Sequence, residues 1–382
     1  MANNLNNLIP HLLEALDVVS REMTGFVPAV NRDNTVERAA LNQSVRVPVT
    51  GQEQSADNTP GVTAPNTGDT TVGEVDITIS KSKHVPVRWN GEETRGLSNA
   101  GIFTSVQADR FYQAMRTLVN EMEIDLYREA YRNASRAYGT AGTTPFGTAG
   151  DMSDFAGPLR ILEENGAPKN DLQLVLGHGA IGNLRGKQSG LFKVNEAGSS
   201  DMLRNGMTDR VMGFALRHSD AVGLHTKGTG AGYLVNNASG IAVGGKNIAV
   251  DTGTGTILPG DIVTFNGNTD KHVATSSIAG GAFSIGAPGA RAVVADNTAL
   301  TVGNNYVPNV AFARSAIVLA TRMPAMPEGG DSADDAIVVT DPVSGISFEI
   351  AVYRQFLQVV YHVRIAWGFR TIKSEHVALL IG

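Results

Sequence analysis

Hydrophobic positions along the chain fall into blocks of different period. Leu5, Leu8, Leu12, Leu13, Leu16 and Val19 recur at helical spacing, which predicts a short amphipathic N-terminal helix. Val45-Arg46-Val47-Pro48-Val49 and Glu74-Val75-Asp76-Ile77-Thr78-Ile79-Ser80 alternate with the two-residue period of a strand. Thr50 to Gly73 between them is rich in Gly, Thr, Asn, Asp and Pro and nearly lacks large apolar groups. The two strands therefore predict a long β-hairpin with a polar tip. Such a tip has too little apolar area to offset its own ordering entropy. It is either a surface loop or an arm that orders only against a neighbouring subunit. Strand character continues through Lys81 to Trp89.

A long helix is predicted from about Thr104 to Tyr138. Phe111, Met115, Leu118, Met122, Leu126 and Ala130 line one face, and Arg110, Arg116, Glu123, Arg128 and Arg132 the other. Asp125 with Arg128 and Glu129 with Arg132 can pair across one turn. At 1.5 Å per residue the helix is about 50 Å long and reads as a strut. Gly139 to Gly150 reads as a flexible connector. Asp151 to Asp220 is mixed α/β. A helix capped by Ser153 runs to Asn165 with Gly166 as C-cap, followed by a buried strand Leu172–Leu176, a helix over 177–186 and a strand Val211–Leu216.

From about Gly228 to Gly303 charges thin out. Ile241 to Val243, Asn247 to Val250, Asp261 to Phe265, Phe283 to Ile285, Arg291 to Val294 and Thr298 to Val302 predict short strands of a small barrel or sandwich, an inserted all-β domain. Asn309 to Met323 reads as helical. The chain closes on strands, with Ile346, Phe348, Ile350 and Val352 alternating, a dense apolar run from Leu357 to Trp367, and Glu375 to Leu380.

Composition narrows the function classes. The 382 residues exceed one ordinary domain. With 42% hydrophobic and 18% charged residues, a packed core is available and global disorder is excluded. A net charge of −6 argues against a nucleic-acid reader. With no cysteine there are no disulfides, zinc-thiolate sites, iron–sulfur clusters or thiol nucleophiles. No apolar run is long enough for a membrane helix, and the N-terminus lacks the basic and apolar regions of a secretory signal. The eight His residues are scattered; His178, His218 and His225 could meet in space, with structural roles the expectation for each. Gly228 to Gly232 and Gly253 to Gly255 are turns rather than phosphate loops, and Gly186 to Gly190 is no nucleophile elbow. Glu163 and Glu164 are expected to be solvated, and Trp89 and Trp367 to be core. No catalytic, cofactor-binding or metal-ligating set emerges, so no enzyme activity and no cofactor are expected. A long chain with a strut helix and an unburied hairpin reads as built to associate.

The succession of these elements resembles the major capsid (coat) proteins of tailed bacteriophages, in particular the short-tailed Salmonella-phage coat type with an inserted β-barrel. Asn205-Gly206-Met207-Thr208-Asp209-Arg210-Val211-Met212-Gly213-Phe214-Ala215 is similar to a Gly-punctuated segment of such coats. Asn309-Val310-Ala311-Phe312-Ala313-Arg314 through Arg322 resembles the helix that follows their insert. Pro259 to Phe265 is similar to a strand of the inserted barrel, and Ile365 to Arg370 with Glu375 to Leu380 to C-terminal peripheral strands.

The resemblance implies an α+β, tailed-phage/herpesvirus-type major capsid fold: N-arm, long β-hairpin E-loop, spine helix, peripheral and axial domains, and an inserted small all-β barrel. The implied division is 1–44 N-terminal helix and arm, 45–100 hairpin and flanking strands, and 101–150 spine helix and connector. It continues with 151–227 and 306–340 as axial domain, 228–305 as barrel and 341–382 as peripheral strands. The implied function is a self-assembling icosahedral shell of pentamers and hexamers around packaged double-stranded DNA. Implied partners are further copies of the chain, a scaffolding protein and a portal, with no membrane and no sequence-specific DNA binding. The implied location is the virion, assembled in the host bacterial cytoplasm. Glu53, Asp57, Asp69 and Glu74 on the hairpin are the expected intersubunit contacts. A tail or decoration subunit is the competing structural reading, and an enzyme with an appended barrel the third.

Overall fold

The structure, a computed structural model, describes residues 24–49, 73–99, 103–188, 210–340 and 345–382, and also 55, 57, 58 and 60. The N-terminal helix expected around 5–19, most of the hairpin tip and 205–209 lie outside the described residues.

In chain order the first elements are β1 (Asn31–Ala39), β2 (Ser44–Val49), β3 (Gly73–Thr78), β4 (Lys81–Asn90), α1 (Gly91–Asn99), α2 (Phe103–Arg132) and β5 (Arg136–Gly139). Then come α3 (Ser153–Glu164), β6 (Leu172–Leu176), α4 (His178–Lys187), β7 (Arg210–Val211) and β8 (Phe214–His218). Six short strands follow: β9 (Tyr233–Val235), β10 (Asn247–Asp251), β11 (Ile262–Phe265), β12 (Lys271–Val273), β13 (Ala282–Ser284) and β14 (Ala299–Val302). The last are β15 (Pro308–Ala313), β16 (Ile317–Pro324), β17 (Asp335–Thr340), β18 (Ser347–Gln355), β19 (Gln358–Thr371) and β20 (Val377–Ile381). The fold is α+β.

Among the described residues the strands form a six-stranded, a twelve-stranded and a two-stranded sheet. The fourteen-residue β19 is the spine of the first. Along one edge it pairs with β4 from Gln358 to Trp367. Its other edge takes β18 and then β16, onto which β1 adds in parallel. Helix α2 lies across β4 and β19. Its predicted apolar face is buried with Val87, Trp89, Val363, Ile365 and Trp367 in one core. A continuous apolar stripe of this kind, more than helix propensity, holds a helix in place. In the twelve-stranded sheet, β20 lies between β5 and β15, and α3 and α4 cover β6 and β20 through Phe155, Ile161, Leu162 and Leu184.

Strands β9 to β14 have a separate core of their own, including Tyr233, Ile248, Phe265, Phe283 and Leu300. The bridge Ala274–Ile285 and the bond from Thr275 N–H to Ser284 O (2.8 Å) bring the end of β12 back to β13, so these strands close on themselves. They are also joined to the rest, because β12 pairs with β5. The expected strands at 241–243 and 291–294 reduce to the single bridge Ile241–Val294.

Four expectations are corrected. The segment 309–323 is two strands broken by a 3-10 turn at Arg314–Ala316. Both strands are buried on both faces, so the alternation that marks a half-exposed strand is missing. The long helix ends at Arg132, six residues early. Asn133 caps the carbonyl of Glu129 (3.0 Å), and Ser135 turns to Val377, which draws 136–139 into the sheet beside β20. The segment 211–216 is a tight hairpin, with Met212 and Gly213 at positive φ. Ser153 opens α3 without capping it; Gly166 at φ 73 does end it, with N–H bonds back to Glu163 and Leu162 from Gly166 and Ala167.

Candidate functional site

The ribbon formed by β2 and β3 is held along one face, where Val45 and Val47 pack half-buried against the same cluster as Ile77 and Ile79. Ile77 and Ile79 are fully buried against Val318, Ala320 and Ala366 of the six-stranded sheet. The Arg370 guanidinium donates to the carbonyl of Asp76 (2.7 Å). Further out, Arg46, Pro48 and Glu74 are exposed, and Arg46 pairs with Glu74 (3.0 Å) and Asp76 (3.4 Å) along the ribbon. Of the expected contact residues, Glu74 thus has a partner on its own chain, and Asp57 is exposed. Glu53 and Asp69 lie outside the described residues.

The strut helix is anchored by carboxylates. Glu123, expected on its polar face, is buried. It accepts the N–H groups of Gly25 (2.6 Å), Phe26 (2.7 Å) and Val27 (2.9 Å) and the hydroxyl of Ser219 (2.6 Å). Burial pushes its carboxyl up, against the pull of these four donors. The approach is close: a Cβ on Gly25 would stand 2.8 Å from Val175 and 2.9 Å from Ser219. Asp125 serves Lys81 (2.9 Å) and the Trp367 indole (3.1 Å), rather than the Arg128 expected one turn on. Lys81 also reaches Glu121 (2.7 Å), and Glu129 accepts the N–H of Thr371 (2.9 Å). Glu121, Asp125 and Glu129 stand on the helix side that faces β4 and β19, and Glu123 on the flank that faces Gly25 to Val27 and Ser219, which period alone did not reveal.

The connector 139–150 is pinned, contrary to expectation. Phe146 is fully buried against Phe155, and its N–H donates to Asp154 (2.5 Å). Glu163 and Glu164 are both exposed, as expected, and Glu164 in addition accepts Arg136 (2.9 Å), itself buried, and Arg291. Both Trp89 and Trp367 are core.

Of the three histidines, the structure brings two together. His218 Nε2 lies 2.8 Å from His178 Nδ1, and His178 Nε2 lies 2.6 Å from Asp220. Burial, then His178, depresses the His218 pKa. His225 stands elsewhere, buried against Asp261 at 2.9 Å. The His178 group holds no nucleophile, and its Asp220 is open to solvent. No group of three His, Asp or Glu among the described residues could hold a metal ion. No described helix is long and apolar enough to cross a membrane.

No protein-family model matches the chain, and no curated protein matches it. Solved structures do. A chain from the capsid of the cyanophage P-SCSP1u aligns over 91% of this chain and 85% of its own at 12% identity, with a TM-score of 0.47. One from Mycobacterium phage Che8 aligns over 91% and 94% at 12% identity and a TM-score of 0.44. One from a virus-like particle of Pyrococcus furiosus aligns over 98% and 99% at 11% identity and a TM-score of 0.43.

Proposed function

We propose that this chain is the major capsid protein of a tailed bacteriophage, which self-assembles as pentamers and hexamers into an icosahedral shell around double-stranded DNA. One observation supports the reading above others. The ribbon packs on its own body through Ile77, Ile79, Val45 and Val47, while its other face, with Arg46, Pro48 and Glu74, is exposed and satisfied only by local ion pairs. Local ion pairs at exposed positions are each worth under about 1 kcal/mol. A second copy beneath the ribbon would supply the burial that its own chain does not. Many such repeated contacts sum through avidity.

In this reading 1–44 is the arm, 45–100 the E-loop hairpin with its flanking strands and 101–150 the spine helix with its connector. Residues 151–227 and 306–340 form the axial domain, 228–305 the inserted barrel and 341–382 the peripheral strands. Joints that differ between quasi-equivalent positions fall at 328–330, where Gly329 and Gly330 are exposed at φ 96 and 92. Scaffolding protein and portal are the expected assembly partners. The chain's net charge of −6 suits a wall that encloses DNA without gripping it. The role is structural, and the place of action is the virion, after assembly in the bacterial cytoplasm.

Negative-stain microscopy of the purified chain tests the proposal. Closed shells are expected. Rings or tubes would favour a tail part, and dispersed monomers would overturn the reading.

A further inference from the structure

One end of the twelve-stranded sheet gathers positive charge. There β6, β7, β8 and the 3-10 turn after β15 set three guanidiniums around one carboxylate. Asp171 accepts Arg314 (3.1 Å), Arg210 (3.4 Å) and the Gln173 amide (2.6 Å). Arg217 donates through Nε to the Gln173 carbonyl oxygen (3.3 Å), and its terminal nitrogens have no hydrogen-bond partner among the described residues. The charged groups facing Arg217 are Arg314, Asp171 and Arg210, so two positive charges are left over. Burial, then Arg314, lowers the Arg217 pKa. Arg210 is exposed, and Arg217 and Arg314 are half-buried. Arg314 is also held by the carbonyls of Pro28 (3.0 Å) and Val30 (3.3 Å). A guanidinium already fixed in this way loses little side-chain freedom on meeting a further anion. Three guanidiniums with one acid between them are the chemistry of an anion seat.

The complement lies beyond the far end of β16. Residues 328–335 carry Glu328, Asp331, Asp334 and Asp335 and no Lys, Arg or His. Asp331 is taken by Arg364 (2.9 Å) and Tyr353, and Asp334 by Arg354 (3.5 Å). Glu328 and Asp335 are exposed and pair with no cation among the described residues. Two uncommitted carboxylates thus match two surplus positive charges. The two patches do not meet on one copy. Thr371 stands opposite Ile317, next to the turn that carries Arg314, whereas Asp331 lies at Arg364 and Asp335 opposite Val352, further on still. From Arg364 to Thr371 the extended β19 covers about 23 Å at 3.3 Å per residue, beyond the reach of an ion pair. Complementary patches at separate places on one copy make a head-to-tail contact, and such contacts close into rings when the rotation allows.

We propose that the Arg210–Arg217–Arg314 cluster of one copy receives Glu328 and Asp335 of a second copy of this chain, head to tail. The assignment rests on the shell reading, to which it adds a contact between neighbouring copies. The test exchanges the charges in the full-length chain. Arg217→Glu and Glu328→Arg are made singly and together, and assembly is read by sedimentation. Each single change should lower the yield of assembled particles by about tenfold or more, because every lost pair is repeated around the assembly. The two changes together restore opposite charges across every contact, so the yield should return to within about twofold of the parent. Arg210→Glu, at a more exposed position, is carried beside Arg217→Glu, and circular dichroism confirms that each variant is folded. Parent-like yield from the single variants, or no recovery in the double variant, overturns the seat. Loss at the arginines without loss at Glu328→Arg would point to a different anion and overturns it as well. The parent chain separates the two readings: a parent that forms shells with the seat overturned leaves the shell reading standing, and a parent that stays monomeric overturns both.

Discussion

The strut helix and the ribbon both project polar residues along their length, but they are held by opposite means. In α2 the carboxylates of Glu123 and Asp125 are buried and matched by donors from four other parts of the chain. In the ribbon, Arg46, Glu74 and Asp76 serve one another in solvent. The helix is finished by its own fold, and the ribbon is packed along one face with the other left to solvent. Substitutions in the two regions should therefore separate stability from association.

The largest effect is expected at Glu123. Glu123→Ala leaves three buried N–H groups and a hydroxyl without an acceptor, at a cost of about 3 kcal/mol or more. Denaturant unfolding of the monomer reads it. A comparable cost appears at His272 only in acid. His272 is buried, and burial lowers its pKa from 6.5 to about 4. Between those values the unfolded chain binds a proton that the folded chain refuses. Stability is therefore complete above about pH 6.5 and falls by about 3 kcal/mol as pH drops toward 4. His272→Phe should flatten that part of the stability–pH curve; an unchanged slope would assign it to other groups.

Smaller effects sharpen the contrast. Leu357 sits at φ 54 in the β18–β19 turn, where it and Phe356 are 74% and 90% exposed. Leu357→Gly should raise monomer stability by about 0.5–1 kcal/mol in thermal melts, since glycine adopts this conformation without strain. Least of all should Glu74→Ala matter to the monomer, under about 1 kcal/mol. Its consequence should appear in the yield of shells by sedimentation. A loss of monomer stability as large as that of Glu123→Ala would erase the distinction between the regions.

Much of this arrangement was legible in the sequence. The apolar stripe of α2 and the pairing of β2 with β3 each follow from a clear period, and the strand Leu172–Leu176 from a short apolar run. Where both faces of a strand are buried, the period vanishes, and β15 and β16 then read as a helix. Strand β1 was missed because its partner β16 lies almost three hundred residues away and its own sequence, NRDNTVERA, is polar. Glu123 read as a surface acid because helical spacing does not say what lies opposite; only the fold brings Gly25 and Ser219 to it.

The most direct test of the account is a photo-crosslinker placed at residue 57, exposed beyond the ribbon's base, in a mixture of two differently tagged copies. Crosslinks joining one tag to the other are predicted. Crosslinks confined within single chains would contradict the claim that the ribbon is completed by a neighbour.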